Sequence, residues 1–168
     1  QLLRRWGDRD RQVYDESLRA ITDESSRLAE MVSGMLTLAK ADSGDRIPKE
    51  PLALNPLVED VVAHARERAS AKGLALRCEP APEPPYILGD TPLIRQLVSN
   101  LIDNALKFTE SGEVAVSVQH ERGTARVLVS DTGIGIEPGM GDQLFDRFFR
   151  GDPSHSRTIQ GTGLGLAI

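Results

Sequence analysis

Tyr14, Leu18, Ile21, Ser25, Leu28, Val32, Met35 and Ala39 recur at alternating spacings of four and three. That period draws one stripe along a helix, the a and d positions of a heptad. Met31, Leu36 and Leu38 widen the stripe beyond a single seam, as packing in a bundle requires. Between about residues 10 and 41, Gly34 is the one Gly or Pro, and Asp42-Ser43-Gly44-Asp45 breaks the chain directly afterwards. The pattern predicts one long helix over 10–41. Its length and abrupt end fit a bundle better than a helix lying on its own domain.

The period then shortens. Residues 46–51 read as a linker and 51–54 as a brief strand. Asn55-Pro56 predicts an N-cap followed by Pro at the first helical position. The helix should run to about Lys72, bury Leu57, Val58, Val61, Val62, Ala65 and Ala69, and end at Gly73. Residues 74–79 alternate as a strand. Four prolines within 80–85 demand a loop. A short strand at 86–88 follows, then Asp90-Thr91-Pro92, which caps a helix reaching about Phe108. Residues 113–121 alternate with Val114, Val116 and Val118 on one face. A turn at 121–124 returns the chain into a strand at 125–130. Residues 139–150 read as loop and short helix, with Phe145, Phe148 and Phe149 spaced i, i+3, i+4 as one helical patch. The polar stretch 151–160 reads as a mobile loop. There is no internal repeat. The fold class expected is α+β: a two-layer α/β sandwich, a mixed sheet with helices on one face, preceded by a long helix.

The chain of 168 residues suffices for one domain plus an appendage, and its 39% hydrophobic content is ordinary for a globular protein. A net charge of −5 argues against a nucleic-acid partner. No apolar run approaches the ~20 residues of a membrane span, and no signal peptide is visible. Direct membrane insertion is therefore not expected. The single Cys78 rules out an internal disulfide and fits a reducing compartment, the cytoplasm. Any membrane association would be made through a partner chain.

The chemistry concentrates in four short stretches. Asp131-Thr132-Gly133-Ile134-Gly135-Ile136 follows the alternating strand 126–130. A carboxylate at a strand end can accept from an amino group, and a Gly-x-Gly turn lets a flat ligand approach the backbone. Upstream lies Asn100-Leu101-Ile102-Asp103-Asn104-Ala105-Leu106-Lys107-Phe108, whose two asparagines share a helical face. An amide oxygen there suits Mg²⁺, which takes hard oxygen ligands. Downstream come Leu144-Phe145-Asp146-Arg147-Phe148-Phe149-Arg150 and Gly161-Thr162-Gly163-Leu164-Gly165-Leu166. The second glycine run should open a helix whose free N–H groups meet phosphate. It lacks the Gly-Lys-Ser/Thr of a Walker loop.

In this order the four stretches resemble the N, G1, F and G2 boxes of the ATP-binding domain of bacterial sensor histidine kinases. Those kinases belong to the superfamily of gyrase, Hsp90 and MutL. The resemblance covers about residues 10–168. It implies ATP and Mg²⁺ as ligands, with Asn104 on the metal and Asn100 assisting or positioning a water. Lys107 would lie near the phosphates, and Asp131 would read the adenine amino group. Gly133 and Gly135 would make room for the base, with Ile136 and Phe108 as apolar walls. Arg150 and Gly161, Thr162, Gly163, Leu164 and Gly165 would hold phosphate. The Phe-rich patch would anchor a lid over ATP, formed by 151–160.

By the same resemblance, residues 1–45 hold the second helix of the dimerisation bundle, down to Leu36-Thr37-Leu38-Ala39-Lys40-Ala41-Asp42-Ser43-Gly44, and 46–168 form the ATP-binding domain. The family's acceptor motif, a His followed by Glu and a nearby Pro, does not occur. His64, His120 and His155 read as surface histidines, so no catalytic residue is assigned. The family pattern also continues past Ile168 through a helix and a last strand, so the domain reads as C-terminally truncated. A fragment of a longer kinase and the ATPase half of a split kinase both fit. The function expected is transfer of the γ-phosphate of Mg-ATP to a histidine on a partner chain, bound through helix 10–41 in an oligomer. A response regulator would act downstream. The rivals are a non-catalytic interaction module that regulates a kinase and an ATP-driven conformational switch.

Overall fold

The computed structural model describes residues 2–42, 49–137, 139–147, 149 and 164–167. Arg150, Gly161, Thr162, Gly163, Phe148, His155 and the stretch 151–160 lie outside them.

Helix α1 spans Leu2–Asp42, longer at its start than the heptad pattern required. Strand β1 (Glu50–Ala53), helix α2 (Leu54–Ala71), strands β2 (Ala75–Glu79) and β3 (Tyr86–Gly89), and helix α3 (Thr91–Phe108) follow. Strands β4 (Glu113–Glu121) and β5 (Thr124–Asp131) form a hairpin, and a 3-10 turn covers Asp142–Phe145.

The strands divide into two sheets. Among the described residues, β1 pairs antiparallel with β3 alone. The order β2-β4-β5 makes the mixed sheet, with β2 parallel and β5 antiparallel to β4. α2 and α3 cover one face of it. Val114, Val116 and Val118 point every second residue from β4 into that layer, where they meet Val58, Val62, Val98 and Ile102. Burying each such side chain contributes about 1.5–3 kcal/mol, so this two-layer core holds the domain together. Cys78 is half-buried beside it; burial pushes its thiol up, with Glu59 adding to the effect, so the thiol stays neutral rather than reactive.

Several local signals act as read. The Asp90 carboxylate accepts from Leu93 N at 2.9 Å and caps α3. The hairpin turn places Arg122 at φ 49° and Gly123 at φ 78°, the doubly positive geometry of a type I′ turn.

Two do not. Asn55 is not the cap of α2, which starts two residues earlier than expected, at Leu54, with Ala53 in the capping position and no side-chain bond there. Asn55 is instead buried, and its amide donates to Ala81 O at 2.8 Å while accepting from Ala81 N at 3.2 Å. A side chain with both a donor and an acceptor can satisfy both backbone groups of a loop residue flanked by prolines, which supply no N–H. The helical patch expected of Phe145, Phe148 and Phe149 does not hold where it is described, Phe148 lying outside the described residues. The 3-10 turn stops at Phe145, Asp146 is extended, Phe145 is exposed and Phe149 half-buried.

Along α1, the stripe residues Tyr14, Leu18, Ile21, Leu28, Val32, Met35 and Leu36 are all exposed. Near the end of the helix Gly34 is buried, and Thr37 Oγ1 donates to Gln96 Oε1 of α3 at 3.2 Å. The helix thus meets the domain near its last turns and leaves its apolar stripe open. Among the described residues no helix is long and apolar enough to cross a membrane.

Candidate functional site

Helix α3 has two faces. Val98, Ile102 and Ala105 are buried against the sheet, and Asn100 and Asn104, about half a turn away around the axis, are half-buried on the other side. Asn100 Nδ2 donates to Gly165 O at 3.0 Å. Leu164 beside it is buried, and Ala167 N bonds back to Leu164 O at 3.1 Å, the turn expected where the glycine run gives way to helix. This bond ties the described end of the second glycine run to the asparagine face.

The register of the hairpin sets the second part. Val114 opposes Asp131, and residues directly opposed across antiparallel strands project from the same face. Asp131 therefore belongs to the helix side of the sheet, at its end. Its Oδ1 accepts from Gly133 N at 2.9 Å, which orients the carboxylate while the residue stays exposed. Ile134 N bonds to Phe108 O at 3.3 Å, so the loop is pinned to the last residue of α3. A Cβ at Gly133 would lie 2.4 Å from Phe108 O and 2.8 Å from Asp131 Oδ1, a space that only glycine fits. Gly135 takes φ 71°. Lys107 Nζ lies 5.0 Å from the centroid of the Phe108 ring, within cation–π range. Ile134 and Ile136 are exposed apolar side chains on the same loop.

α3 is thus the common support. It joins Asn100, Asn104, Lys107 and Phe108 to Asp131, Gly133, Gly135 and Ile136 on one side, and to Leu164 and Gly165 on the other. Arg150, Gly161, Thr162 and Gly163 fall outside the described residues. His64 and His120 are exposed, with His64 Nδ1 donating to Asp60 O at 2.7 Å within its own helix.

Thr132 went unread in the sequence. Its hydroxyl accepts from Glu113 N at 3.0 Å and lies 3.3 Å from Ser111 O, closing the β5 end onto the start of β4. Gly112, at φ 108°, admits this clamp, because a Cβ there would meet Thr132 Oγ1 at 2.2 Å. The signal was the Ser111-Gly112 pair ahead of β4, which reads only as a turn until its spatial neighbour is known. The donor set suits a nucleotide with its metal: a neutral amide oxygen at Asn104, an oriented carboxylate, an adjacent ammonium and apolar side chains.

The family model described as histidine kinase-, DNA gyrase B-, and HSP90-like ATPase matches residues 89–168. The sensor histidine kinase CusS of Escherichia coli K12 is 37% identical over 162 residues, 95% of this chain and 33% of its own length. The chain therefore spans about a third of the length of the curated relatives it matches. The solved structure of the mycobacterial sensor histidine kinase MprB is 30% identical, with a TM-score of 0.60 over 71% of this chain and 74% of that one. Full-length ShkA in complex with AMPPNP is also 30% identical, with a TM-score of 0.69 over 83% of this chain and 29% of that one. The family-model match and the likeness to MprB over most of that structure settle the family: the chain belongs to the histidine kinase-, DNA gyrase B- and HSP90-like ATPases, as the ATP-binding part of a two-component sensor histidine kinase.

Proposed function

We propose that this chain binds Mg-ATP across the asparagine face of α3 and passes the γ-phosphate to a histidine on a partner chain. The observation that carries this reading is the double anchorage of α3, to the Asp131 loop through Phe108 O and to Gly165 through Asn100. Such an arrangement can take the base at one end and phosphate at the other. Asp131 accepts from the adenine amino group, between Phe108 and Ile136. Asn104 supplies the amide oxygen for Mg²⁺, which when bound neutralises phosphate charge. Asn100 positions the glycine box, Lys107 adds a cation, and Arg150 with Gly161, Thr162, Gly163, Leu164 and Gly165 contacts phosphate. The exposed stripe of α1 is the second helix of a dimerisation bundle. It pairs with the acceptor-bearing helix and brings the imidazole to the γ-phosphate, replacing a chance encounter by a held geometry. A ring nitrogen forms the P–N bond as the bond to the bridging oxygen breaks, and ADP leaves. A response regulator then takes the phosphoryl group.

The test mixes this chain with a separate chain carrying a His-Glu-x-x-x-Pro helix, using radiolabelled ATP and gel separation. Label should appear on the partner. Leu28→Asp with Met35→Asp should abolish that transfer and leave ATP binding nearly unchanged, because both side chains are exposed on α1. Asn104→Ala should remove the Mg²⁺ dependence of ATP binding. Label on this chain's own histidines, or transfer that survives the Asp substitutions, would sink the proposal.

A further inference from the structure

The last four carbonyls of a helix have no partner inside it. In α3 they belong to Ala105, Leu106, Lys107 and Phe108, and each has an acceptor role. Ala105 O receives Thr109 N at 3.1 Å and the fully buried Thr109 Oγ1 at 2.7 Å. Phe108 O receives Ile134 N from the Asp131 loop. The two between receive one ammonium: Lys72 Nζ lies 2.7 Å from Leu106 O and 3.5 Å from Lys107 O. Lys72 is the C-cap residue of α2, just before Gly73, and belongs to none of the four boxes. Its charge also meets the negative end of the α3 dipole.

What rests on that turn gives the contact its consequence. Gly133 packs against Phe108 O with no room for a methyl group, and the Gly133 amide holds Asp131 Oδ1. A displacement of the last turn of α3 passes directly to the orientation of the Asp131 carboxylate. We propose that Lys72 is a positioning residue of the nucleotide site, clamping the end of α3 so that the Asp131 loop keeps the spacing needed to select adenine. This role rests on the proposed reading of Asp131 as the adenine contact. A lysine suits the task because three donors on one mobile centre can serve two adjacent carbonyls.

The test compares the unaltered chain with Lys72→Met, which keeps the stem and loses the donors, and Lys72→Arg, which keeps donors and charge. Hydrogen exchange of the Ile134 amide is followed without nucleotide, and ATP and GTP affinities are measured with Mg²⁺. Lys72→Met should speed Ile134 exchange about tenfold relative to the Val116 amide in the core, and shrink the ATP-to-GTP affinity ratio about fivefold, in keeping with loss of a hydrogen bond to a charged donor. Lys72→Arg should restore both to within about twofold. A merely destabilising change would speed Ile134 and Val116 together and leave the ratio alone. Unchanged Ile134 exchange, parallel loss at Val116, or an unchanged ratio in a chain that discriminates would each overturn the clamp. If the unaltered chain shows no preference for ATP, the reading of Asp131 fails, and the exchange contrast alone decides whether Lys72 holds the loop.

Discussion

Asp131→Ala is expected to weaken ATP binding by about 1.5–3 kcal/mol, roughly 10- to 150-fold, the range for a hydrogen bond to a charged group. The carboxylate is prepared for this role before any ligand arrives. The register places it on the helix side of the sheet end, and Gly133 N holds one of its oxygens. The substitution removes the proposed adenine acceptor and also releases the loop amide, so any preference for ATP over GTP should vanish with the affinity. Asp131→Asn is the sharper variant. Its amide oxygen can keep the bond to Gly133, but its NH₂ group then faces the adenine amino group, donor against donor. Calorimetric titration of both nucleotides into both variants decides the matter, and unaltered ATP affinity in Asp131→Ala would remove this residue from the site.

The largest loss of stability should come from the opposite face of the same helix. Ile102 is 0% exposed and is among the largest fully buried side chains. Ile102→Ala should cost about 2–5 kcal/mol through lost burial and the cavity left behind. Against a total stability of order 5–15 kcal/mol, that is enough to unfold a large fraction of the protein on mild heating. Leu97, on the same helix but exposed, should cost well under half as much. Urea unfolding would show it. A loss below about 1 kcal/mol at Ile102 would mean that α3 is not the element around which the core is built.

Much of this was legible in local pattern. The cap at Asp90, the hairpin turn at 121–124, the valines of β4 and the asparagine face of α3 each depend on neighbours within a few residues, which spacing reports. The missed features depend on partners far along the chain. Asn55 looks like a cap beside Pro56, and only the position of Ala81 shows that its amide serves a loop. Lys72 looks like a solvated side chain until the end of α3 is brought over it. Thr132 and Gly112 make sense only together, across the hairpin. The Phe-rich stretch misled for another reason: spacing alone does not make a helix, and the turn ends at Phe145, where Asp146 turns extended. The exposed part of the α1 stripe, from Tyr14 to Leu36, was legible because a heptad pattern states which face wants covering.

The parallel pairing of β2 with β4 has a consequence for the order in which the domain assembles. β4 and β5 are joined by a two-residue turn, so their pairing closes almost no loop and can form within microseconds. β2 reaches its neighbour only after β3 and the whole of α3 have been traversed, a closure whose entropy is lost before any ladder bond repays it. The hairpin with α3 laid across it is therefore the expected nucleus, and β2 the late arrival. Substitutions at Val116 should act mainly on the folding rate, and substitutions at Leu76 mainly on the unfolding rate. The edge strand β2, last to dock, is then the part that a stalled or newly made chain leaves bare, offering β4 to whatever strand comes first.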